Sequence, residues 1–351
     1  MRTRDPHEID TALLANVDKH PKDLARVVAG QLGVSRQAVA AHIRALVAEG
    51  YLSKSGTTRP TYAAGRYRRT SFQYALAGLA EDRVWSRDMS PLLQGLPREV
   101  FDICHFGLTE MVNNAIDHSE GTHVSVHLLR DQKQVTMAIV DDGVGIFKKI
   151  SAALSLPDER LALLELSKGK LTTDPTRHSG EGVFFTSRMF DHYQIVSGGL
   201  VFDHLDHEPD DVLFDVDDPD SGTTVNMRIY LASQRSMSDI YAKYSSGPDE
   251  HTFAKTIVPV RMARIGEENL VSRSQAKRLL QRIDRFRCVL FDFDQVPSVG
   301  QAFADEIFRV FASDHPDIEL IAIHAAAEVQ QMIRRAEVLR DEQDGQLPLL
   351  K

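Results

Sequence analysis

A carboxylate and a carboxamide stand four residues apart in this sequence, as Glu110 and Asn114. On a helix that spacing places both side chains on one face, about one turn from each other. An amide oxygen is a hard ligand of the kind that Mg2+ takes beside substrate phosphates, and a carboxylate can orient or deprotonate a water or a hydroxyl. The pair therefore predicts phosphate chemistry, with Asn114 as a metal ligand and Glu110 as a catalytic base.

A second polar group follows the alternating segment 124–140, which is typical of strands. Asp141 begins a turn that contains Gly143 and Gly145, and glycines let the backbone approach a ligand closely. A carboxylate at the end of a strand can accept a hydrogen bond from an exocyclic amine such as that of adenine. Taken alone, the same letters are also typical of an ordinary hairpin turn, so the order of the motifs decides between the two interpretations.

Four motifs in order resemble those of the GHKL ATPases, the superfamily of type II topoisomerase ATPase domains, the Hsp90 chaperone, mismatch-repair ATPases, histidine kinases and anti-sigma-factor serine kinases. Its N box, E-x-x-x-N-A, is matched by Glu110, Asn114 and Ala115, and its G1 box, D-x-G-x-G, by Asp141, Gly143 and Gly145. The G2 box follows as Gly180-Glu181-Gly182, and Gly222-Thr223 matches the closing Gly-Thr. Over residues 95–232 the resemblance implies a Bergerat-type α/β sandwich that binds ATP and Mg2+.

The resemblance also implies individual roles. Glu110 is the implied catalytic residue, and the implied nucleotide ligands are Asn114, Asp117, Asp141, Gly143, Gly145, Gly180, Gly182 and Thr223. Phe184 stands where many members carry a third glycine in the G2 box. The resemblance therefore implies binding of ATP more strongly than fast hydrolysis.

Residues 147–179 are predicted to form a lid over the phosphates. They carry cations and hydroxyls around a flexible point at Gly169, as is typical of a cover for a triphosphate; these residues are Ser151, Lys168, Lys170, Thr172, Thr173, Arg177 and His178. The alternative is that Lys168 and Lys170 only solvate a loop, and the sequence does not choose between the two. The apolar segment after Gly182 predicts a helix whose N-terminus could hold phosphate.

The first 65 residues predict three helices and a two-stranded wing, and they resemble the winged helix domains of bacterial transcription regulators. Residues 1–70 contain twelve Lys or Arg and six Asp or Glu, a net charge of +6, so the remainder of the chain carries −15. A basic segment on an acidic chain indicates a polyanionic partner. DNA is therefore the expected partner of residues 1–70.

In a winged helix the third helix enters the major groove and its exposed residues read base edges. The candidate base-reading residues are Arg36, Gln37, His42 and Arg44. Lys54 and Arg59 in the wing, with Arg66, Arg68 and Arg69 after it, are expected to contact phosphates. The alternative is a winged helix used for dimerisation or for contact with another protein.

Other segments have simpler interpretations. Residues 66–94 are predicted to connect the two domains through a helix that packs around Trp85, and His105 is expected to pack on its helix. Residues 203–220 contain nine acidic and no basic residues, which favours a solvated hairpin over a second metal site.

Residues 233–252 predict a linker, and residues 253–345 alternate strands with helices. The run Phe291-Asp-Phe-Asp-Gln-Val resembles STAS-like domains found C-terminal to GHKL domains, which implies a role in protein binding. The position of the phosphorylated serine of true STAS anti-anti-sigma factors falls near Gly300, Gln301 and Ala302, so phosphorylation there is not expected. Asp292 and Asp294 are expected to be caps.

The 351 residues suffice for two or three domains. The two cysteines, Cys104 and Cys288, are expected to be buried thiols of a reducing compartment, and the absence of a long apolar run or a signal-peptide core predicts a cytoplasmic protein. The fold class expected is α+β with several domains.

The favoured function is an ATP-binding regulator in which the GHKL domain switches a DNA-binding winged helix and the STAS-like domain couples to a partner. One alternative is an anti-sigma-type protein serine kinase acting on a separate protein, and a weaker one is an interaction module in a phage-defence system. Lid-gated GHKL proteins are often dimers, so the resemblance is also compatible with a homodimer.

Overall fold

The computed structural model describes residues 8–171, 180–205, 212–215, 222–247, 250–264 and 268–346. The chain begins with three helices and a hairpin, in the predicted order: α1 Glu8–Asn16, α2 Leu24–Leu32, α3 Arg36–Ala48, β1 Leu52–Ser55 and β2 Thr61–Ala64. The two strands pair antiparallel, with Leu52 opposite Ala64 and Ser55 opposite Thr61.

Local sequence explains where α2 ends and α3 begins. Gly33 follows α2 with a φ of +61°, a left-handed conformation that glycine adopts readily. Ser35 caps α3 as predicted, because its hydroxyl accepts a hydrogen bond from the backbone N–H of Ala38. The inner faces of the three helices and β1 share one apolar core: Leu13, Val17, Leu24, Val28, Val39, Ile43, Leu46 and Leu52.

The next elements are β3 Arg68–Ala75, α4 Glu81–Arg83, a π-helical turn Val84–Met89, α5 Ser90–Leu93, α6 Arg98–His118, β4 His123–Arg130 and β5 Gln134–Asp141. β3 pairs antiparallel with β4 along its whole length, from Arg68 opposite Arg130 to Ala75 opposite His123. The predicted connector therefore contributes a sheet strand as well as its helix, which the sequence did not predict. Trp85 is buried and stacks on His105 with 4.4 Å between ring centroids, so both pack as expected.

The elements that follow are α7 Ile146–Leu154, α8 Leu161–Lys168, α9 Gly182–Met189, β6 His192–Ser197, β7 Leu200–Leu205, β8 Val212–Asp215 and β9 Thr223–Tyr230. β7 and β8 pair antiparallel, with Leu200 opposite Asp215. The acidic stretch therefore includes the predicted hairpin, and its residues 206–211 and 216–221 lie outside the described residues.

The remaining helices and strands are α10 Met237–Tyr244, β10 Ser245–Gly247, β11 Glu250–Phe253, β12 Lys255–Pro259, α11 Arg273–Leu280, β13 Cys288–Asp292, α12 Gln301–Asp305, α13 Ala312–Asp314, β14 Glu319–Ile323 and α14 Ala327–Gln346. Two 3-10 helices, Val260–Ala263 and Ile283–Arg285, and a π-helical turn, Glu306–Phe311, lie among them. Strands β12, β13 and β14 form a parallel sheet in that order, which is the small α/β domain expected from the alternating pattern. The predicted linker contains α10, and the Ser236 hydroxyl caps this helix by accepting from the Asp239 N–H.

The chain divides into two compact units. The first comprises Met1–Gly143, Phe190–Ile195 and Gly222–Gln234, and the second comprises Val144–Met189, Val196–Ser221 and Arg235–Lys351. In the first unit the strand order is β3-β4-β5-β9-β6, and α6 packs against β5 and β9. In the second unit α8 packs against β12 as well as α7 and α9. The predicted ATP-binding range, 95–232, contributes elements to both units.

Both cysteines are free thiols, as predicted. Cys104 is fully buried, and burial raises its thiol pKa to about 12, whereas Cys288 is only half-buried. Among the described residues, none of the helices combines the length and the apolar character needed to span a membrane.

Candidate functional site

The N-box side chains share one face of α6. Glu110, Asn114 and Asp117 follow each other at intervals of four and three residues, and all three are half-buried. The opposite face of the helix is fixed by buried apolar residues at the same helical spacing: Ile103, Leu108, Met111, Val112 and Ala115. The structure therefore brings the predicted carboxylate and carboxamide side by side on an accessible face of a well-anchored helix.

Asp141 is the last residue of β5 and is 9 % exposed. One carboxylate oxygen, Oδ1, accepts hydrogen bonds from the backbone N–H groups of Gly143 at 2.9 Å and Thr223 at 3.3 Å. Asp141 also stands opposite Thr223 in the pairing of β5 with β9. Burial raises the pKa of Asp141, and the two backbone donors oppose that rise. The G1 turn and the start of β9, which are far apart in the sequence, thus meet at one buried carboxylate.

Two glycines at this point are required by internal packing. A Cβ on Gly143 would lie 2.1 Å from the carbonyl oxygen of Ser119, the residue that ends α6. Gly222 has a φ of +107°, and a Cβ there would lie 2.1 Å from the Asp141 carbonyl oxygen. The sequence analysis explained the G1 glycines by close approach of a ligand. In the structure, glycine is required at position 143 because the end of the N-box helix lies against it.

Asp142 is a structural residue that the sequence interpretation missed. Its Oδ1 accepts from the backbone N–H groups of Thr122 at 2.6 Å and His123 at 2.9 Å, and its Oδ2 accepts from the Thr122 hydroxyl at 2.6 Å. These donors lower the pKa of Asp142. The side chain therefore ties the turn after α6 to the G1 turn. Only its position beside Asp141 in the Asp-Asp-Gly sequence could have indicated this role.

The remaining predicted glycines lie in the second unit. Gly145 precedes α7 with a φ of +89°, and Gly182 is the first residue of α9, as the predicted helix start requires. Gly180 has a φ of +73°, and its carbonyl accepts a hydrogen bond from the Leu171 N–H at 2.9 Å. Residues 172–179 between them, which include Thr172, Thr173, Arg177 and His178 of the predicted lid, lie outside the described residues.

The residue that replaces the third glycine of the G2 box belongs to an aromatic cluster. Phe184 is 2 % exposed, and its ring centroid lies 4.6 Å from that of Phe253 and 4.9 Å from that of Tyr244. Phe185 packs against the same two rings and against Tyr241. A large apolar side chain is needed at position 184 because α9 packs on α10 and on the strand end at Phe253.

Neither interpretation of Lys168 was right. The side chain is fully buried, donates to Glu165 Oε1 at 2.5 Å, and also donates to the carbonyls of Arg278 at 3.2 Å and Gln281 at 3.0 Å. Burial lowers its pKa to about 8, against the pull of Glu165. Lys170 is half-buried and donates to the Arg285 carbonyl at 2.9 Å. Both ammonium groups therefore make contacts within the second unit.

The predicted DNA-contacting residues fall into two groups. Exposed on α3 or in the hairpin region are Arg36, Gln37, Arg44, Lys54 and Arg59. His42 was predicted to read bases, but it lies on the inner side of α3, where its Nδ1 is 2.7 Å from Asp10 Oδ1 on α1. Arg69 also pairs with Asp10, at 3.7 Å, and Arg68 donates to the Tyr67 carbonyl, so neither projects like the exposed arginines.

Comparison with protein families assigns two regions. Residues 77–202 match the model of the histidine kinase-like ATPase domain, and residues 275–330 match the model of a STAS-like domain of unknown function (DUF4325). Comparison with curated proteins gave no significant match. The chain therefore contains a histidine kinase-like ATPase domain followed by a small C-terminal STAS-like domain.

The residues present fit a nucleotide with its metal ion. The fit rests on a half-buried carboxamide beside a carboxylate on α6, and on a buried carboxylate whose two observed bonds use only one oxygen. Within the described residues there is no group of three or more His, Cys, Asp or Glu that could hold a metal by itself. A magnesium ion at Asn114 would therefore take most of its ligands from phosphate and water, as Mg2+ usually does.

The contact between Gly143 and Ser119 gives a direct test of this geometry. Gly143→Ala is expected to lower the free energy of unfolding by about 1–3 kcal/mol, because the methyl group meets a backbone carbonyl that cannot rotate away. Gly30→Ala is the control, since Gly30 lies inside α2 with nothing near its missing Cβ, and alanine there should stabilise by up to about 1 kcal/mol. Denaturant unfolding measures both; equal midpoints for Gly143→Ala and the wild type would contradict the close approach.

Proposed function

We propose that this protein is an ATP-binding regulator whose nucleotide domain controls an N-terminal DNA-binding region. The match of residues 77–202 to a histidine kinase-like ATPase domain supports nucleotide binding. The observation that carries the proposal is the carboxylate of Asp141, buried and anchored through Oδ1 by two backbone donors. No described residue donates to its Oδ2, which leaves a fixed acceptor for the amine of adenine.

The other residues of the site have complementary roles in the proposed complex. The Asn114 carboxamide oxygen would hold Mg2+, which neutralises charge on the phosphates when it is bound. Glu110, one turn away on the same face of α6, would orient or deprotonate the attacking water or hydroxyl. In the second unit, Gly182 begins α9, whose N-terminus has backbone N–H groups of the kind that bind phosphate.

Calorimetry with ATP and Mg2+ tests the pocket. Asp141→Asn keeps an Oδ1 acceptor for Gly143 and Thr223 but replaces the adenine acceptor by a donor, so we expect affinity to fall by roughly 10- to 100-fold. Asn114→Ala should abolish Mg-dependent binding. Because burial raises the pKa of Asp141, wild-type affinity should fall on acidification at a higher pH than an ordinary aspartate would give.

Asn113→Ala is the matched control for Asn114→Ala, because it removes the same group from the neighbouring position of α6, about 100° around the helix. It should leave ATP affinity unchanged. Tight ATP binding by both Asn114→Ala and Asp141→Asn would contradict the assigned pocket.

Whether bound ATP is hydrolysed, transferred or only sensed depends on Glu110. Glu110→Gln should leave ATP affinity within about threefold and lower any turnover by roughly 100-fold or more, the usual contribution of a general base. Turnover is measured with ATP labelled on the γ-phosphate in the presence of cell extract. Label on a second protein would identify a protein kinase, the alternative function; label released as phosphate would identify an ATPase. Undiminished turnover would remove Glu110 from this role.

DNA binding is proposed for the three helices and hairpin of residues 8–64. Arg36, Gln37 and Arg44 are exposed on α3, and the first 70 residues carry a net charge of +6. Ser35 caps α3 immediately before Arg36, so Arg36 and Gln37 lie in its first turn, the part of a recognition helix that reaches base edges. Arg44 lies about two turns further along the same helix. The STAS-like domain would couple to a protein partner.

Fluorescence anisotropy with duplex DNA tests this proposal. Lys54→Ala should weaken binding to all duplexes and reduce the slope of log affinity against log salt by about 1. Arg36→Ala should reduce the binding free energy by about 1–3 kcal/mol, and only for duplexes selected from a randomised pool. Arg26→Ala is the control. Arg26 lies on α2 and pairs with Asp23, so its removal should leave DNA affinity unchanged. If the wild-type protein shows no salt-dependent DNA binding, the proposal is contradicted. Residues 8–64 would then serve dimerisation or contact with another protein.

A further inference from the structure

In the first unit, the carboxylate of Asp142 holds the turn after α6, residues 119–123, against the G1 turn. Its Oδ1 accepts from the backbone N–H groups of Thr122 at 2.6 Å and His123 at 2.9 Å, and its Oδ2 accepts from the Thr122 hydroxyl at 2.6 Å. The Asp142 N–H also donates to the His123 carbonyl at 3.3 Å. Hydrogen bonds to a charged acceptor are short and strong, so this carboxylate fixes the spacing of the two turns.

The backbones of the two turns also approach each other too closely for side chains. A Cβ on Gly121 would lie 2.5 Å from Asp142 Oδ1, and a Cβ on Gly143 would lie 2.1 Å from the Ser119 carbonyl oxygen. The Ser119 hydroxyl accepts from the Gly121 N–H at 3.0 Å, which orders the first of the two turns. Because the contacts are this close, neither turn can shift without displacing the other.

Each turn is adjacent in the chain to a proposed ligand of ATP. Asn114 lies on α6 about one turn before its last residue, His118, and Asp141 immediately precedes Asp142. The body of α6 is held on the sheet by its packing against β5 and β9. The contacts of Asp142 act at the end of the helix. They therefore fix where the last turns of α6, with Asn114, stand relative to Asp141.

We infer that Asp142 is a positioning residue for ATP, which keeps the Asn114 carboxamide and the Asp141 carboxylate at the spacing that one ATP molecule spans. This rests on the proposed binding of ATP. A ligand held at two points gains affinity because its second contact forms intramolecularly, and the gain is lost when the spacing of the two points is not maintained. Asp142 acts on that spacing and is not itself a ligand of the nucleotide.

The inference separates ATP from its two parts. Adenosine uses only the Asp141 end of the site and Mg-tripolyphosphate only the Asn114 end, so neither fragment needs a fixed spacing between them. Removal of the Asp142 carboxylate should therefore weaken the binding of ATP more than the binding of either fragment. A general loss of folded protein would instead lower all three affinities together.

Three variants change the contact to different degrees. Asp142→Ala removes both carboxylate oxygens. Asp142→Asn keeps one oxygen for the two backbone N–H groups and an amide that can donate to the Thr122 hydroxyl, so it should restore the spacing. Thr122→Val removes only the hydroxyl, and it provides the test if Asp142→Ala does not fold.

Asp131→Ala is the matched control for Asp142→Ala. Asp131 Oδ1 accepts from the backbone N–H groups of Lys133 at 2.7 Å and Gln134 at 3.0 Å, in the turn that joins β4 to β5. That turn lies at the other end of the same two strands, roughly 25 Å from Asp142. The control therefore removes a similar contact from the same hairpin, far from the proposed ligands.

The experiment is titration of each full-length variant with Mg-ATP, with adenosine and with Mg-tripolyphosphate, beside thermal unfolding. We expect Asp142→Ala to bind ATP about tenfold more weakly and each fragment within about twofold of the wild type. Thr122→Val should bind ATP about threefold more weakly. Asp142→Asn and Asp131→Ala should bind all three ligands with about the wild-type affinity.

Wild-type ATP affinity in Asp142→Ala, or in Thr122→Val if the alanine variant does not fold, would show that this contact does not position the site. Equal losses for ATP and both fragments would show that Asp142 only supports the fold, and so would an equal loss of ATP affinity in Asp131→Ala. Wild-type protein that binds no ATP would instead overturn the proposed function, and this inference with it.

Discussion

The buried carboxylate of Asp141 joins two parts of the chain that are distant in sequence. Its Oδ1 holds the N–H of Gly143 in the G1 turn and the N–H of Thr223 at the start of β9. Around it, Gly143 and Gly222 must lack side chains because backbone carbonyls occupy that space. A buried charge that satisfies backbone donors on two neighbouring segments can be replaced only at a cost in folding. The residue proposed to recognise adenine is therefore also the one that fixes the geometry of the site.

Packing explains two residues whose roles the sequence did not reveal: Phe184, where the G2 box of many GHKL members has a glycine, and Lys168, which was expected in a loop. Phe184 replaces a glycine because α9 is buried against Phe253 and Tyr244, and Lys168 is drawn into an ion pair with Glu165 at the end of α8. Both residues serve contacts with the C-terminal region. In the second unit, α8 and α9 therefore carry side chains that pack against residues further along the chain, between positions 244 and 281.

Local patterns made much of the fold predictable. The helical spacing of apolar residues gave α6, strict alternation gave β5, and the alternation of strands and helices gave the parallel sheet β12-β13-β14. Each of those signals resides within a few residues. The missed features depend on partners remote in sequence. β3 is a strand because it pairs with β4, and His42 turns inward because it contacts Asp10 on α1. Lys168 is buried because residues 278–282 pack over it. Sequence order alone also located Asp141, Gly143 and Thr223, but not the role of Asp142.

Hydrogen–deuterium exchange of the full-length protein, with and without Mg-ATP, tests the central claim that nucleotide binds at the Asp141 carboxylate. The account predicts slower exchange after ATP addition at backbone amides of residues 141–145 and 222–224. Unchanged exchange at these two segments under saturating ATP would contradict the pocket.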